Sequence, residues 1–302
     1  MNANLWSAHS NNTAPFEYDL LQLIIQCRSG MVHEENAQDP FEQLIYPESN
    51  DHCMSRTGVT SEAQLLRQLA WLKEPWSWLM RTKVLENIER WDGKPSALDV
   101  GCGPGLVTEL LSSMFDVQGI DSDPNMVRMM RERGYDAVEG DAASLPFRDG
   151  SFDIVYCSFT LLWVSEPQTM IKEMARVSRH YVVFLAEPDY GGRICHPEDL
   201  LVLDRYLVGS LVDEGADPFI GRKLGGMMEG IGLDVEVGVH SGVWSPDQLR
   251  KEANAEWESI AEAIKDLIEK NDLERAKAAW DRALADGSLF LFNPVFYAIG
   301  RK

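Results

Sequence analysis

The sequence of 302 residues has few cysteines and no long apolar run. Its five cysteines form no Cys-x-x-Cys pair, which favours a reduced compartment over a disulfide framework. The longest apolar runs, such as Phe152–Cys157 and Tyr181–Ala186, are much shorter than the ~20 residues of a membrane span. The first residues also lack the basic start and apolar core of a signal peptide. We therefore expect a cytoplasmic protein without a membrane partner.

Basic residues are scarce as well. Lys and Arg total 28 against 48 Asp and Glu, so the formal net charge is −20 at pH 7. Nucleic acids and anionic lipids are bound mainly through clustered Lys and Arg, and no basic run here exceeds two residues. A nucleic-acid partner is therefore not expected. The acidic surplus itself is explained by solubility.

Three regions of the chain differ in pattern. Residues 1–95 carry helical patterns without strand-like alternation. Residues 96–190 alternate short β-rich runs with amphipathic stretches, which is typical of repeated βαβ units and a parallel sheet. Later residues mix helices with two strand candidates, separated by a charged helical segment at about 245–285. The pattern predicts a helical extension or cap over 1–95 and an α/β domain over 96–302 that carries this insertion.

The most informative motif is LDVGCGPG, Leu98–Gly105, where an apolar strand runs into Gly-x-Gly-x-Gly and then a helix. Glycines permit a tight turn and let a ligand approach the backbone closely. The helix N-terminus offers unpaired N–H groups to polar ligand atoms. A glycine-rich loop alone is a weak signal, because a dinucleotide could bind there as well.

Three acids follow or end successive predicted strands: Asp99, Asp121 and Asp141. A carboxylate at the end of the second strand, where Asp121 lies, can accept hydrogen bonds from ribose hydroxyls. Asp141 follows the third strand and could accept from an adenine amino group. Each acid alone could be a solvated loop residue. Together with the glycine loop, they predict a nucleoside-containing ligand.

These motifs resemble the small-molecule branch of the class I (Rossmann-like) S-adenosylmethionine-dependent methyltransferase family, most closely over residues 96–190. The segment LPFRDGSFD is also typical of that branch. The resemblance implies a doubly wound, seven-stranded, mostly parallel α/β sheet with an antiparallel last pair. We expect a helical cap from the N-terminal region and the late insertions. The implied methyl donor is S-adenosyl-L-methionine, with S-adenosyl-L-homocysteine as product, and the implied acceptor is a small molecule.

The resemblance also implies roles for individual residues. Asp121 would hold the ribose, Ser122 and Met126 would flank the adenine, and Asp141 would read the adenine edge. The glycine loop and the end of the fourth strand would lie beside the methionine part. The implied cofactor-binding residues are Asp99, Gly101, Cys102, Gly103, Asp121, Ser122, Met126, Asp141, Ala142, Cys157 and Ser158.

Residues near the expected acceptor are less certain in role. Methyl transfer is an in-line displacement, and a base is needed only where the acceptor must lose a proton. The loop after the fifth strand offers Tyr190 and His196 as candidate catalytic residues, although His196 could equally cap a helix. Arg193 and Arg222 could bind an anionic acceptor or form ordinary surface ion pairs. Trp163 could line the acceptor pocket or belong to the core.

Other readings of the sequence are weaker. His33, His52 and Cys53 match no metal-ligand spacing, so no metal site is predicted. An NAD-dependent oxidoreductase would require Gly-x-Gly-x-x-Gly after the first strand, and aminopropyl transfer usually requires additional acids around the pocket. A catalytically inactive methyltransferase-like module has no need of the intact glycines and acids. The acceptor and the oligomeric state stay open.

Overall fold

The computed structural model describes residues 72–87, 93–240 and 243–302. Seven strands form one sheet in the order β3-β2-β1-β4-β5-β9-β7. Strands β1 to β5 are parallel, and β9 runs antiparallel between β5 and β7. The predicted α/β fold with a seven-stranded, mostly parallel sheet is therefore confirmed. The strands of this sheet are β1 Ser96–Val100, β2 Asp116–Asp121, β3 Asp136–Glu139, β4 Phe152–Ser158, β5 Ser178–Pro188, β7 Asp234–His240 and β9 Val295–Arg301.

Helices begin and end at residues with clear local signals. Proline occupies the first turn of α2, α3 and α6, where its missing N–H is not needed. Ser245 and Gln248 form a capping box at the start of α6, and Gly287 ends α7 with φ +77°. The helices are α1 Leu106–Leu111, α2 Pro124–Glu132, α3 Pro167–Val177, α4 Leu201–Asp213, α5 Leu224–Glu229, α6 Pro246–Ile264 and α7 Lys270–Asp286.

Both faces of the central strands are buried, as expected for a parallel sheet covered on each side. Leu98 and Val100 of β1 face one apolar layer, which includes helix α3. Ala97 faces the other layer, which includes helix α1 and residues 72–84. The described part of the predicted N-terminal cap therefore packs on a face of the sheet. Residues 1–71 of that predicted cap lie outside the described residues.

A helical subdomain, residues 194–213 and 244–292, packs around its own apolar cluster. It combines α4, α6 and α7 with a two-stranded antiparallel sheet of β6 Ile194–His196 and β8 Phe290–Phe292. The chain leaves the main sheet after Pro188 in β5 and again after His240 in β7. After the second exit it returns to the sheet at Val295 in β9. These three residues share one register level, because Val295 pairs with both of the others. The subdomain is thus attached at the carboxyl edge of the parallel strands, where open α/β sheets bind ligands.

Among the described residues, none of the helices combines the length and the apolar character needed to cross a bilayer.

Candidate active site

The three glycines of the loop after β1 differ in the space around them. Side chains crowd two of them, and the third is open. Gly101, Gly103 and Gly105 all have positive φ, at 71°, 51° and 84°. A Cβ at Gly101 would lie 2.4 Å from the Thr160 side chain, and one at Gly105 would lie 2.8 Å from Met130. At Gly103 a Cβ would meet no atom of the described residues within 4 Å. Gly103 is therefore the place where a ligand can approach the loop backbone.

Asp121 at the end of β2 orders this loop. Its Oδ2 accepts the N–H of Gly103 at 2.9 Å, and its Oδ1 accepts the N–H of Asp123 at 2.9 Å. Each carboxylate oxygen has a second acceptor position, so the side chain can also accept from two neighbouring hydroxyls. The geometry is compatible with the ribose role predicted for Asp121.

Asp99 lies within β1 and is buried. Its side chain is 2% exposed and lies beneath α1, where its Oδ2 accepts from Thr108 Oγ1 at 2.8 Å and from the Tyr156 hydroxyl at 3.2 Å. Burial raises the pKa of Asp99 to about 7, with a smaller contribution from the negative charge of Asp121. Asp99 thus ties α1 to β4 below the glycine loop, and its direct contact with a ligand stays a prediction.

The residues predicted to surround the adenine lie along the same sheet edge. Asp121 pairs with Glu139 in the register of β2 and β3, which places Asp141 on the neighbouring connection. Asp141 is exposed, and its Oδ1 accepts the N–H of Ala143 at 2.8 Å. Ser122 is exposed and Met126 is half-buried at the start of α2. Ala142 packs partly against the core.

The end of β4 also reaches this edge. Cys102 and Cys157 are buried, and desolvation raises the pKa of both thiols. The hydroxyl of Ser158 is buried and has no hydrogen-bond partner among the described residues, which is costly unless a ligand or water supplies one. The next residue, Phe159, has φ +52°, a conformation that is strained for a side chain other than glycine.

Sequence reasoning missed Glu187, a fully buried carboxylate in β5. Its Oε1 accepts the N–H groups of Thr160 at 3.1 Å and Leu161 at 3.0 Å, and its Oε2 accepts that of Leu162 at 3.3 Å. Burial raises the pKa of Glu187 to about 7, against the lowering effect of these hydrogen bonds. The available signal was an acid directly after the apolar run YVVFLA, because a charge buried inside a strand needs specific partners.

The loop after β5 contains two of the predicted residues. Tyr190 is half-buried, and its N–H donates to the Pro218 carbonyl at 2.8 Å. Arg193 is buried, with Nε 3.5 Å from Asp204 and Nη2 3.8 Å from Glu256. Two carboxylates of the helical subdomain therefore balance its charge. The proposed binding of an anionic acceptor by Arg193 stays a prediction.

The remaining predicted residues occupy separate places. Arg222 is half-exposed and binds the buried carboxylate of Asp189 at 2.5 and 2.6 Å. Trp163 ends the 3-10 turn that Glu187 holds and packs partly against the core. His196 is exposed on β6, close enough to Asp286 at the end of α7 to act on it electrostatically. Its role as a base stays a prediction.

His33, His52 and Cys53 lie outside the described residues. Within residues 72–87, 93–240 and 243–302, no group of three or more His, Cys, Asp or Glu side chains is arranged to hold a metal ion.

Comparison with known proteins locates the most similar region. Residues 98–185 match the model of a methyltransferase domain. The chain is 31% identical over 219 residues to an uncharacterised 37.1 kDa transposon protein of Streptomyces fradiae, which covers 64% of this chain and 61% of that protein. It is 31% identical over 157 residues to the demethylmenaquinone methyltransferase of Anoxybacillus flavithermus, covering 48% and 59%. The match thus spans less than two thirds of either relative.

A solved structure from Bacillus halodurans is also similar. It has 17% sequence identity and a TM-score of 0.49, and the superposition covers 76% of this chain and 99% of that one. The strand order of the sheet and the match over residues 98–185 are stronger evidence of similarity to methyltransferases than this superposition is.

Proposed function

We propose that the protein is an S-adenosylmethionine-dependent methyltransferase of the class I (Rossmann-like) family, because residues 98–185 match a methyltransferase-domain model and the strand order is that of the expected sheet. We propose that its acceptor is a small molecule. The observation that carries the proposal is the open face of Gly103 beside the Asp121 carboxylate, at the carboxyl edge of the sheet.

The residues present fit this cofactor. Asp121 would hold the two ribose hydroxyls while keeping its hydrogen bonds to the loop. Gly103 leaves the space that the amino-acid part requires, and the unpartnered Ser158 hydroxyl offers a polar contact nearby on the same edge. When bound, S-adenosylmethionine supplies a methyl group already activated by its positive sulfur. The chain's own work is then to bind, align and exclude water.

The proposed acceptor site lies between the sheet edge and the helical subdomain. Trp163 and Tyr190 pack against the same core cluster, from the connections that follow β4 and β5. This shared position favours Tyr190 over the exposed His196 as the residue that meets the acceptor. The net charge of −20 and a relative named for the small molecule demethylmenaquinone support a small acceptor over a nucleic acid.

Ligand-induced stabilisation tests the proposed function. A ligand that binds only the folded state at 100 times its Kd should stabilise it by ~2.7 kcal/mol. We expect S-adenosylhomocysteine to raise the melting temperature and NAD to leave it unchanged. A shift with NAD alone would favour an oxidoreductase, and no shift with either ligand would favour an inactive module.

A further inference from the structure

Glu187 connects β5 to the residues that follow β4. All four donors around its carboxyl group come from residues 157–162: the thiol of Cys157, with Sγ 3.7 Å from Oε1, and the N–H groups of Thr160, Leu161 and Leu162 at 3.0 to 3.3 Å. Three of these donors lie on Oε1 and one on Oε2, and an ionised carboxylate, which is acceptor-only, can accept from donors on both oxygens. When the carboxyl group is protonated, it can accept fewer hydrogen bonds. Its own hydroxyl is then one more donor beside the four that surround it.

The segment held in this way, residues 158–163, is called here the β4 loop. Phe159 within it has φ +52°, and its N–H donates to the Ala186 carbonyl at 2.7 Å. A strained backbone of this kind persists only where its surroundings hold it. Hydrogen bonds from β5, mainly those to Glu187, hold the β4 loop together with the Asp217 N–H, which donates to the Leu162 carbonyl at 2.7 Å.

The β4 loop touches the glycine loop directly. Thr160 Oγ1 lies 3.4 Å from the Gly101 carbonyl, and its side chain fills the space that a Cβ at Gly101 would need. At one end of the loop lies the unpartnered hydroxyl of Ser158, and at the other lies Trp163. A shift of the β4 loop would therefore displace both the glycine loop and the proposed acceptor wall.

We propose that Glu187 is a positioning residue whose ionised carboxylate fixes the β4 loop against the glycine loop in the conformation that binds the cofactor. This inference rests on the proposed function, since the cofactor is what the loop would receive. Binding of the cofactor product should then favour the ionised form and release a proton where Glu187 was protonated.

The charged surroundings of Glu187 are few. Cys157 contacts it from β4, and burial raises the pKa of that thiol. On its own segment the next acid is Asp189, which pairs with Arg222. Lys223 follows in the adjoining turn and pairs with Asp217. Because burial raises the pKa of Glu187 to about 7, its ionisation can be followed near neutral pH.

The test measures the affinity for S-adenosylhomocysteine by calorimetry from pH 6 to pH 8. With a pKa of about 7, the ionised fraction of Glu187 rises from about a tenth to about nine tenths over this range. If only that form binds, the affinity rises roughly tenfold. Glu187→Gln keeps the side-chain shape but cannot ionise, so we expect weak binding that no longer depends on pH.

Asp99→Asn is the matched control, because Asp99 is also buried and its pKa is also raised to about 7, but it bonds to α1 and β4 side chains. Whatever its affinity, we expect it to keep the roughly tenfold dependence on pH. A dependence that persists in Glu187→Gln, or that disappears in Asp99→Asn, would overturn the proposal. If wild-type protein binds no S-adenosylhomocysteine at any pH, the proposed function has failed instead.

A measurement on the wild type covers the case in which Glu187→Gln does not fold. Calorimetry at pH 7 in buffers of different ionisation enthalpy reports the number of protons released on binding. We expect a release of about half a proton, because about half of Glu187 is protonated at a pH equal to its pKa. Binding without proton release would contradict the proposal.

Discussion

The open face of Gly103 allows a substitution that separates binding from folding. Its φ of +51° places it in the left-handed region, and in the part of the chain that the structure describes no atom lies within 4 Å of the position a Cβ would take. Gly103→Ala should therefore cost only the backbone strain of an L-residue at positive φ, ~1–2 kcal/mol. With an unfolding entropy of ~2.1 cal/mol/K per residue, that corresponds for 302 residues to a loss of roughly 2–3 °C in melting temperature.

The same methyl group would intrude on the proposed cofactor. Overpacking a tight contact by one carbon costs ~1–3 kcal/mol, so the affinity for S-adenosylhomocysteine should fall by roughly fivefold to a hundredfold. Calorimetry at one pH, with wild type and variant side by side, measures this loss.

Gly134→Ala is the matched control for this substitution. Gly134, in the turn between α2 and β3, has φ +90° and also has no atom within 4 Å of a Cβ position. It should lose as much stability as Gly103→Ala but keep wild-type affinity. Wild-type affinity in Gly103→Ala, or an equal loss of affinity in both variants, would refute the assignment of the glycine loop as the cofactor loop.

Three further outcomes are expected. Asp121→Ala should weaken S-adenosylhomocysteine binding by ~1.5–3 kcal/mol, measured by calorimetry, because a charged hydrogen-bond partner is lost; unchanged affinity would exclude the ribose role. Arg222→Gln should lower the melting temperature, because it leaves a buried carboxylate unpaired, whereas Lys223→Gln, which breaks a more exposed pair, should change it little. Because the pKa values of Asp99 and Glu187 are raised, the folded state holds protons that the unfolded state releases. The two carboxyl groups therefore contribute fully to stability below about pH 4, and this contribution is lost as the pH rises through about 7. Urea unfolding between pH 4 and pH 8 should show this decline, and it should be smaller in Asp99→Asn and in Glu187→Gln.

The sheet and the glycine loop could be predicted because their signals are local. The signals are short β-rich runs, glycines at fixed spacing and an acid at the end of β2. Each lies within a few residues of the feature that it specifies. Strand alternation in β1 places Asp99 on the same face as Ala97, beneath α1, and its contact with a ligand stays a prediction. That placement was available from the sequence.

Other parts of the site depend on contacts between distant segments. The pairing of β6 with β8 places His196 on an exposed strand, and no local pattern around Pro197 predicts that pairing. Arg193 finds its carboxylate partners on α4 and α6. The function of Glu187 depends on the conformation of the β4 loop. The sequence does not reveal that conformation, because Phe159 is a residue with no special preference for positive φ.

The proposed activity is transfer of a methyl group from S-adenosylmethionine to a small molecule. The direct measurement incubates the protein with methyl-tritiated S-adenosylmethionine and a cell extract, separates the products by size, and counts the label in each fraction. We expect wild-type protein to label the low-mass fraction and Gly103→Ala to label it much less. Label in nucleic acid, or equal labelling by wild type and variant, would contradict the account.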